Sequence, residues 1–215
     1  MSKVIVDISV SLDGFVAGPD RTLEEPLGKG GEKLHEWVVS TETWRGSHGL
    51  DGGETGKDSD VVGETVARVG ATIMGRRMFS GGSGPWSEDP NADAWWGDEP
   101  PFHHSVFVLT HHERKPEQKE GGTTFHFVTD GIEAALDQAR TAAGEKDIQI
   151  AGGAMAIQQY LNAGVVDELN CHIAPVLLSD GVRLFEELTE GPIEVEIDRV
   201  VTSDAVTHVR YRVGK

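Results

Sequence analysis

The sequence predicts an α/β fold in which a mostly parallel sheet is covered by helices on both faces. Strand signals alternate with helical signals between residues 60 and 164, and this alternation is typical of parallel sheets. The chain opens with a β-branched run without proline at residues 4–10, which indicates a buried first strand. After Gly164 the apolar residues recur at every second position, which predicts mostly antiparallel strands at the edge of the same sheet.

Helices are predicted from apolar residues that recur every three or four positions and from the residues that end them. Both signals occur in segments 59–70, 130–144 and 154–163. Asp130 followed by Glu133 predicts a capping box at the start of the middle helix. A shorter helix is expected around Trp37, whereas the glycine-rich segment 44–60 is expected to leave the core.

The remaining strands are predicted from β-branched or alternating runs of residues. Those expected to be parallel lie at residues 71–74, 105–110 and 148–151. Later strands are expected from alternating apolar residues that begin at Leu169, Ile193 and Thr207, with residues 202–204 as a hairpin turn. Since no composition shift marks a linker between two cores, we expect one domain over residues 1–215.

Composition and charge exclude several classes of protein. The 215 residues contain 19 Lys and Arg against 36 Asp and Glu, a net charge of −17, so the overall field repels nucleic acid and anionic lipid. No apolar stretch is long enough to cross a bilayer, and no secretory signal is recognised before Val4. With Cys171 as its one cysteine, the chain forms no intrachain disulfide. We therefore expect a cytoplasmic protein that binds neither nucleic acid nor membranes.

Two predicted strands end in residues that are suited to phosphate. Gly75, Arg76 and Arg77 follow one strand, at the sheet edge where α/β proteins bind ligands and where arginines can form bidentate contacts. Gly152 and Gly153 lie between another strand and a helix, and without Cβ atoms they let a pyrophosphate approach the backbone. Taken singly, each pattern is also explained by an ordinary strand-to-helix turn.

A third strand end carries a hydroxyl, two imidazoles and two cations. Thr110 and His111 end the strand, and His112, Arg114 and Lys115 follow within five residues. A cluster of this kind suits an adenosine 2′-phosphate and would favour NADPH over NADH, although a solvated loop is the other interpretation.

With the three strand ends in this order, the sequence resembles the dihydrofolate-reductase-like family. The resemblance is to the reductase domain of bifunctional riboflavin-pathway deaminase–reductases and to its stand-alone bacterial relatives in particular. The opening segment 11–18 and the later segments 160–169 and 174–178 share the resemblance. It covers nearly the whole chain, and segments 41–58 and 80–101 look like insertions peculiar to a subgroup.

The resemblance implies a three-layer α/β/α fold, a homodimer and an NADPH-dependent reductase of a small heterocyclic or carbonyl/imine substrate. The strand ends would hold the phosphates, pyrophosphate and adenosine ribose, while the first loop, with Asp13, would cover the nicotinamide. The implied cofactor contacts are Val16, Ala17, Gly75, Arg76, Arg77, Thr110, His111, Gly152, Gly153, Ala154 and Met155. The alternatives are a dihydrofolate or pteridine reductase, and a non-catalytic binding protein of the same fold.

The proton donor is not fixed by any motif. Folate reductases supply a carboxylate from the helix after the first loop, and here that helix offers Glu32, His35 and Glu36. Asp13 is the other candidate, although an Asp-Gly turn has a structural explanation of its own. We take Asp13 and Glu36 as the candidate catalytic residues.

Two other features leave interpretations open or exclude a site. The adjacent pairs at 103–104 and 111–112 lack the spacing of a helical zinc site, and a chain with one cysteine lacks the zinc-deaminase signature, so we expect no metal. Trp86, Trp95 and Trp96 could form a substrate lid, a dimer contact or a satellite core.

Overall fold

A sheet assembled from strands along the whole chain organises the molecule, which the computed structural model describes at residues 2–93, 96–189 and 191–214. The strands are Val4–Ser11 (β1), Phe15–Ala17 (β2), Val69–Gly75 (β3), Ser105–Leu109 (β4), Glu117–Gln118 (β5), Thr124–Val128 (β6), Asp147–Gly152 (β7), Glu168–Ala174 (β8), Val182–Arg183 (β9), Val195–Thr202 (β10) and Thr207–Val213 (β11). The α-helices are Glu36–Val39 (α1), Glu42–Ser47 (α2), Lys57–Arg68 (α3), Arg76–Ser80 (α4), Gly131–Ala143 (α5) and Ala154–Asn162 (α6). Short 3-10 turns occur at Gly31–Leu34, Trp86–Glu88 and Glu120–Gly122.

Within the described residues, nine strands form one sheet in the order β10-β11-β8-β1-β7-β3-β4-β6-β5. The strands from β8 to β6 in that order are parallel to one another, whereas β5, β10 and β11 pair antiparallel. Strands β2 and β9 form a separate antiparallel pair. The carboxyl ends of parallel strands meet at one edge of a sheet, so the ends of β1, β7, β3 and β4 lie together.

The apolar core lies on both faces of the sheet, because successive residues of a strand point to opposite sides. Ile73 of β3 packs with Leu136 of α5 and Ile157 of α6 on one face. The next residue, Met74, packs with Phe79 of α4 on the other face. Helices therefore cover both sides, which confirms the predicted α/β class with a mostly parallel sheet.

The C-terminal third differs in one respect from the prediction. Strands β10 and β11 are antiparallel as expected and meet at the predicted hairpin turn. Strand β8, which begins the alternating run at Leu169, instead lies parallel to β1. The reason is its connection: α6 carries the chain back along the sheet after β7, and such a crossover produces a parallel strand.

Local elements also depart from the predicted pattern. Helix α2 begins before residue 44 and extends into the segment 44–60 that was expected to leave the core; the Thr41 side chain accepts a hydrogen bond from Trp44 N and caps the helix. Strand β6 was not predicted. The capping box at Asp130 does not form, since Gly131 turns the backbone with φ 90° and the Asp130 side chain caps no amide. Among the described residues, every helix is too short or too polar to cross a bilayer.

Candidate active site

The ends of β3 and β7 form a cradle made of backbone. Gly75 pairs with Leu109 of β4 and lies beside β7. A Cβ atom at Gly75 would lie 3.5 Å from Gly153 N and 3.8 Å from Gly152 O, which is ordinary van der Waals contact, so the ends of β3 and β7 lie side by side. The structure therefore brings the two glycine-containing strand ends of the sequence together at one edge.

Gly153 leaves open space in front of the cradle. A Cβ atom there would meet no atom of the described residues within 4 Å, and the φ of −74° is one that any residue adopts. The residue precedes α6, whose first two amides, those of Ala154 and Met155, have no acceptor within the helix, whereas the amides of Ala156 and Ile157 donate to Gly153 O. Free amides and the positive end of the helix dipole suit an anion. Ala154 is buried, whereas Met155 is 71% exposed.

Arg76 is turned away from the cradle. Its guanidinium is 2.5 Å from Asp89 Oδ2, bonds Ser80 Oγ and stacks over the Trp86 ring at 3.6 Å from the ring centre. Both charged side chains are almost fully buried. The ion pair occupies the charge of Arg76, whose guanidinium therefore ties Asp89 and Trp86 to α4 in this structure.

Arg77 lies exposed on α4, and its positive charge acts on Arg21, a residue that the sequence analysis did not select. Burial and the like charge of Arg77 both lower the pKa of Arg21. Neither arginine has an ion-pair partner within the part of the chain that the structure describes. Two unpaired cations on a strongly acidic protein form the local positive patch that an anionic ligand requires. Arg21 was missed because it lies in an irregular loop far from Arg77 in the sequence.

The third strand end is less open than its sequence suggests. Thr110 is buried, and its Oγ1 accepts a hydrogen bond of 3.1 Å from His112 N. Arg114 is engaged by Asp93 and Glu117, both at 2.7 Å. His111 remains exposed. Lys115 is exposed as well, so His111 and Lys115 are open to solvent near Thr110, while Arg114 is held by its two carboxylates.

The loop after β1 is held firmly in place. Ser11 Oγ donates to Asp13 Oδ1 at 2.6 Å, and the Asp13 carboxylate also accepts from the amides of Leu178 and Ser179. The hydrogen bond from Ser11 makes the largest contribution to lowering the pKa of Asp13, and the two amide hydrogen bonds lower it further. Val16 and Ala17 are buried in β2. Asp13 is thus an ionised acceptor that fixes the loop, and its geometry gives a proton-donor role no support.

A cavity of about 300 Å³ opens beside the cradle. Its wall combines aliphatic and polar side chains with four aromatic ones, Trp37, Trp44, Trp96 and Phe102. The cavity and the cradle meet at Gly152, because a Cβ atom there would lie 3.3 Å from Met78 Sδ and 3.7 Å from Ile8 Cδ1, and both side chains line the cavity. A molecule in the cavity would therefore lie next to a ligand in the cradle.

The polar groups of the cavity wall differ from those predicted. Asp7, His35, His104 and His172 line it, whereas Glu36 is exposed on α1 and is not in the wall. Burial lowers the pKa of His104 to about 4. Asp7 was missed because it lies within an apolar strand, where a single carboxylate gives no motif.

The tryptophans of segment 80–101 have different surroundings. Trp86 packs edge-on against Phe79 and Phe127, and its Nε1 donates to His112 O at 2.8 Å, so it belongs to a satellite core. Trp96 packs on Phe102 and lines the cavity. The prediction for Trp95 lies outside the described residues. Within the described ranges, His, Cys, Asp and Glu form no group that could hold a metal ion.

A mostly parallel sheet with a glycine cradle at its edge and an aromatic cavity beside it defines a protein of the dihydrofolate-reductase-like class. The chain belongs to the RibD C-terminal domain family, whose model matches residues 2–209. This confirms the resemblance inferred from the sequence.

Similar proteins come from several bacteria. The uncharacterized protein YyaP of Bacillus subtilis is 26% identical over 195 residues, 87% of this chain and 82% of that protein. A putative riboflavin biosynthesis protein from Shewanella sp. PV-4 has the same fold, with 22% identity, full coverage of both chains and a TM-score of 0.62. Dihydrofolate reductase from Enterococcus faecalis, complexed with NADP(H), has 15% identity and a TM-score of 0.53 over 99% of this chain and 97% of that chain.

A two-activity protein shares the fold over part of its length. The deaminase/5-amino-6-(5-phosphoribosylamino)uracil reductase from Thermotoga maritima has 13% identity and a TM-score of 0.56. The match spans 99% of this chain but 57% of that one.

Proposed function

We propose that this protein is an NADPH-dependent reductase that transfers hydride to a small heterocyclic or carbonyl/imine substrate. The observation that carries the proposal is the junction at Gly152, where a cradle suited to a dinucleotide meets an aromatic cavity through Met78 and Ile8. Membership of the RibD C-terminal domain family supports a reductase similar to that of the riboflavin pathway.

The residues at the sheet edge fit the cofactor. Because Gly153 has no side chain, the space in front of it is open to a pyrophosphate. Arg77 and Arg21 supply positive charge at the same sheet edge. NADPH supplies the hydride at its nicotinamide ring when bound. The chain's own part is to hold phosphate at Gly153 and Arg77 and to keep the cavity wall next to Gly152.

The cavity fits a flat, polar substrate. Its aromatic side chains offer stacking surfaces, and Asp7 offers a hydrogen-bond acceptor. His35 Nδ1 and Trp96 Nε1 are buried without a hydrogen-bond partner among the described residues. An unpaired buried polar group costs about 1–3 kcal/mol, so a ligand that pairs with either atom gains affinity.

The alternative within enzymes is a dihydrofolate or pteridine reductase, which the fold shared with the Enterococcus faecalis enzyme favours. The position of Glu36 outside the cavity wall argues against it, because that helix then offers no carboxylate to the substrate. The alternative outside enzymes is a protein that binds NADPH without turnover.

We also propose that two copies pair through β10 and that the protein works in the cytoplasm, a reducing compartment suited to its single cysteine. Strand β10 lies at the edge of the sheet and exposes apolar side chains, with Ile197 65% and Val200 51% exposed. An Ile197→Arg substitution should convert a dimer to a monomer in sedimentation analysis. A wild-type monomer at micromolar concentration would refute the pairing.

The function is tested by binding first and turnover second. NADPH at a hundredfold its Kd should stabilise the protein by about 2.7 kcal/mol, seen as a higher melting temperature than with NADH. NADPH oxidation is then followed with 5-amino-6-(5-phosphoribosylamino)uracil, dihydrofolate and simple imines and carbonyls. Binding without oxidation of any substrate would favour the non-catalytic alternative, and dihydrofolate turnover above about 1 per second would favour the folate reading.

A further inference from the structure

Four side chains form a hydrogen-bonded chain from the cavity toward the surface. Asp7 Oδ1 lies 3.1 Å from His172 Nε2, the Nδ1 atoms of His172 and His208 lie 2.8 Å apart, and His208 Nε2 lies 3.0 Å from Asp58 Oδ1. Each imidazole is 5% exposed, and the end carboxylates are 17% and 18% exposed. Asp7 and His172 both line the cavity.

Strand register and helix spacing bring these four hydrogen-bonded side chains together. His172 of β8 lies opposite Ser9 of β1 and opposite His208 of β11, so these side chains share one face of the sheet with Asp7. Helix α3 crosses that face. Its Asp58 reaches His208, and two turns later Thr65 Oγ1 donates to Asp7 Oδ2 at 3.1 Å.

Apolar side chains shield the two rings from water. Trp37 packs against His172 and His208 with ring centres 4.9 Å apart in both cases, and its Nε1 donates to Ser9 Oγ at 3.0 Å. Val61 of α3 is also buried. Hydrogen bonds in such surroundings are stronger than in water, because little solvent competes for the same atoms.

The geometry of the four hydrogen-bonded groups fixes the number of protons that they share. Three hydrogen bonds link the four groups, and each needs one proton. When both carboxylates are ionised, each accepts from an Nε2–H group, and the contact between the Nδ1 atoms needs a third proton. One ring is then neutral and the other doubly protonated. The four groups together carry a charge of −1.

His172 is the ring beside Asp7, so the proton on its Nε2 is the one within reach of that carboxylate. Burial lowers the pKa of His208, and the charge of His172 lowers it further although Asp58 raises it. Burial raises the pKa of Asp7, but the charge of His172 and the hydrogen bonds to the carboxylate outweigh this and lower it. The pKa of His104 is about 4 and burial also lowers the pKa of His35, so these two cavity histidines favour the neutral form. His48 lines the cavity as well. The remaining charged groups around the chain, on α3, β8, β10 and β11, are Glu64, Arg68, Glu168, Arg199 and Arg210.

We propose that Asp7, His172, His208 and Asp58 store one proton beside the cavity and that Asp7 passes it to the substrate, a role that rests on the proposed reductase function. When bound, NADPH would supply the hydride for a new C–H bond, and the C=N or C=O π bond would break and leave its electron pair on nitrogen or oxygen. A proton moves from His172 Nε2 to Asp7 and from Asp7 to that atom. Neutral His172 then keeps its Nδ1–H hydrogen-bonded to His208. After product release, a proton from the solvent returns the four groups to their starting protonation state.

In this scheme Asp7 is the catalytic donor, while His208 and Asp58 are positioning residues. Asp58 holds the proton of His208 on Nε2, which leaves its Nδ1 free to accept from His172. An Asp58→Asn side chain can donate to His208 Nε2 through its amide and so reverse this tautomer. The Nδ1 contact is then satisfied by two neutral rings, and the stored proton is lost.

The test counts ring protons by nitrogen NMR on unliganded protein with 15N-labelled histidine, assigned with a His208→Gln variant. Of the two rings of His172 and His208, we expect one to be doubly protonated between pH 6 and 8 in wild type and neither to be so in Asp58→Asn. Asp60→Asn also removes one negative charge from helix α3, but Asp60 is not one of the four hydrogen-bonded groups. This variant should therefore resemble wild type. Two neutral rings in wild type would overturn the proposal, as would equal proton loss in both variants.

Turnover tests the delivery step. On a substrate that wild type reduces, Asp58→Asn should lower kcat about tenfold and shift its pH profile while NADPH affinity stays constant, and Asp7→Asn should lower kcat about a hundredfold. An unchanged kcat in both variants would overturn the catalytic role. If wild type reduces no substrate, the proposed function and the delivery step fail together, while the NMR result still decides whether the proton is stored.

Discussion

The sheet edge and the sheet face that carries the hydrogen-bonded groups Asp7, His172 and His208, here called the relay face, support the proposed function in different ways. At the edge, Gly75 is the last residue of β3, and Gly153 directly follows β7 and leaves open space in front of the backbone. On the relay face, Asp7, His172 and His208 act through side chains on three separate strands. Binding of phosphate thus depends on short local segments, whereas the stored proton depends on long-range register. A substitution should therefore harm one region while sparing the other.

The largest expected effect is at Gly153. A Gly153→Val variant should fold normally, because its φ suits any residue and its Cβ meets open space, yet the side chain would occupy the place of the pyrophosphate. We expect NADPH affinity to fall by about a thousandfold or more, or about 4 kcal/mol. Calorimetric titration measures the loss.

A matched control for this variant lies at Gly46. Its Cβ position is also open, its φ is not positive, and it is on α2 away from the cradle. Gly46→Val should bind NADPH as wild type does. Equal affinity in Gly153→Val would show that the turn serves the fold alone, and the contrast between the two regions would disappear.

The same contrast explains what the sequence could predict. The strands ending at Gly75 and Gly152 were visible because their signal is local. The inward turn of Arg76 was not, since its partner Asp89 comes from a segment without regular pattern. His172 and His208 are 36 residues apart and meet only through the pairing of β8 with β11, which one sequence does not specify. Asp7 looked like an interruption of a core strand.

The next effect concerns stability at the amino end of the relay face. Glu168 is 3% exposed and pairs with Arg68 at 2.6 Å. Burial raises its pKa, but Arg68 first, and then Lys3 and Arg210, lower it below the ordinary value. Removing the charge leaves Arg68 less well paired, so Glu168→Gln should lower the free energy of unfolding by about 2 kcal/mol at pH 7.

The pH dependence of that loss has a definite sign. A carboxylate with a lowered folded pKa contributes its full stability above the unfolded value, about 4.3, and loses it as pH falls through the folded pKa. The gap between wild type and Glu168→Gln in urea unfolding should therefore be constant from pH 6 to 8 and shrink below about pH 4. Glu145→Gln, an exposed carboxylate, should show no gap. A gap that grows toward acid pH would contradict this assignment.

A smaller effect is expected from the cation patch at the edge. Arg77→Gln should weaken NADPH binding about tenfold, because one charge-assisted contact is worth roughly 1.5–3 kcal/mol and this side chain is exposed. Solvent screening should make the loss smaller at 0.5 M salt than at low salt. Lys146→Gln removes an equally exposed cation at the opposite end of β7 and should change nothing. Equal losses in both variants would mean that net charge alone attracts the cofactor.

The smallest effect tests whether Arg76 belongs to the edge or to the scaffold beneath it. Trp86 carries the Arg76 guanidinium on its ring and donates to His112 O at 2.8 Å. A Trp86→Phe variant keeps an aromatic surface under Arg76 but loses this hydrogen bond, so the free energy of unfolding should fall by about 1 kcal/mol. NADPH affinity should stay within about twofold of wild type if Arg76 only anchors Asp89 and Trp86, since a twofold change is about 0.4 kcal/mol. Urea unfolding and NADPH titration on the same preparation separate the two quantities. A tenfold loss of affinity with unchanged stability would place Arg76 among the phosphate ligands and return the edge to the arrangement that its sequence suggests.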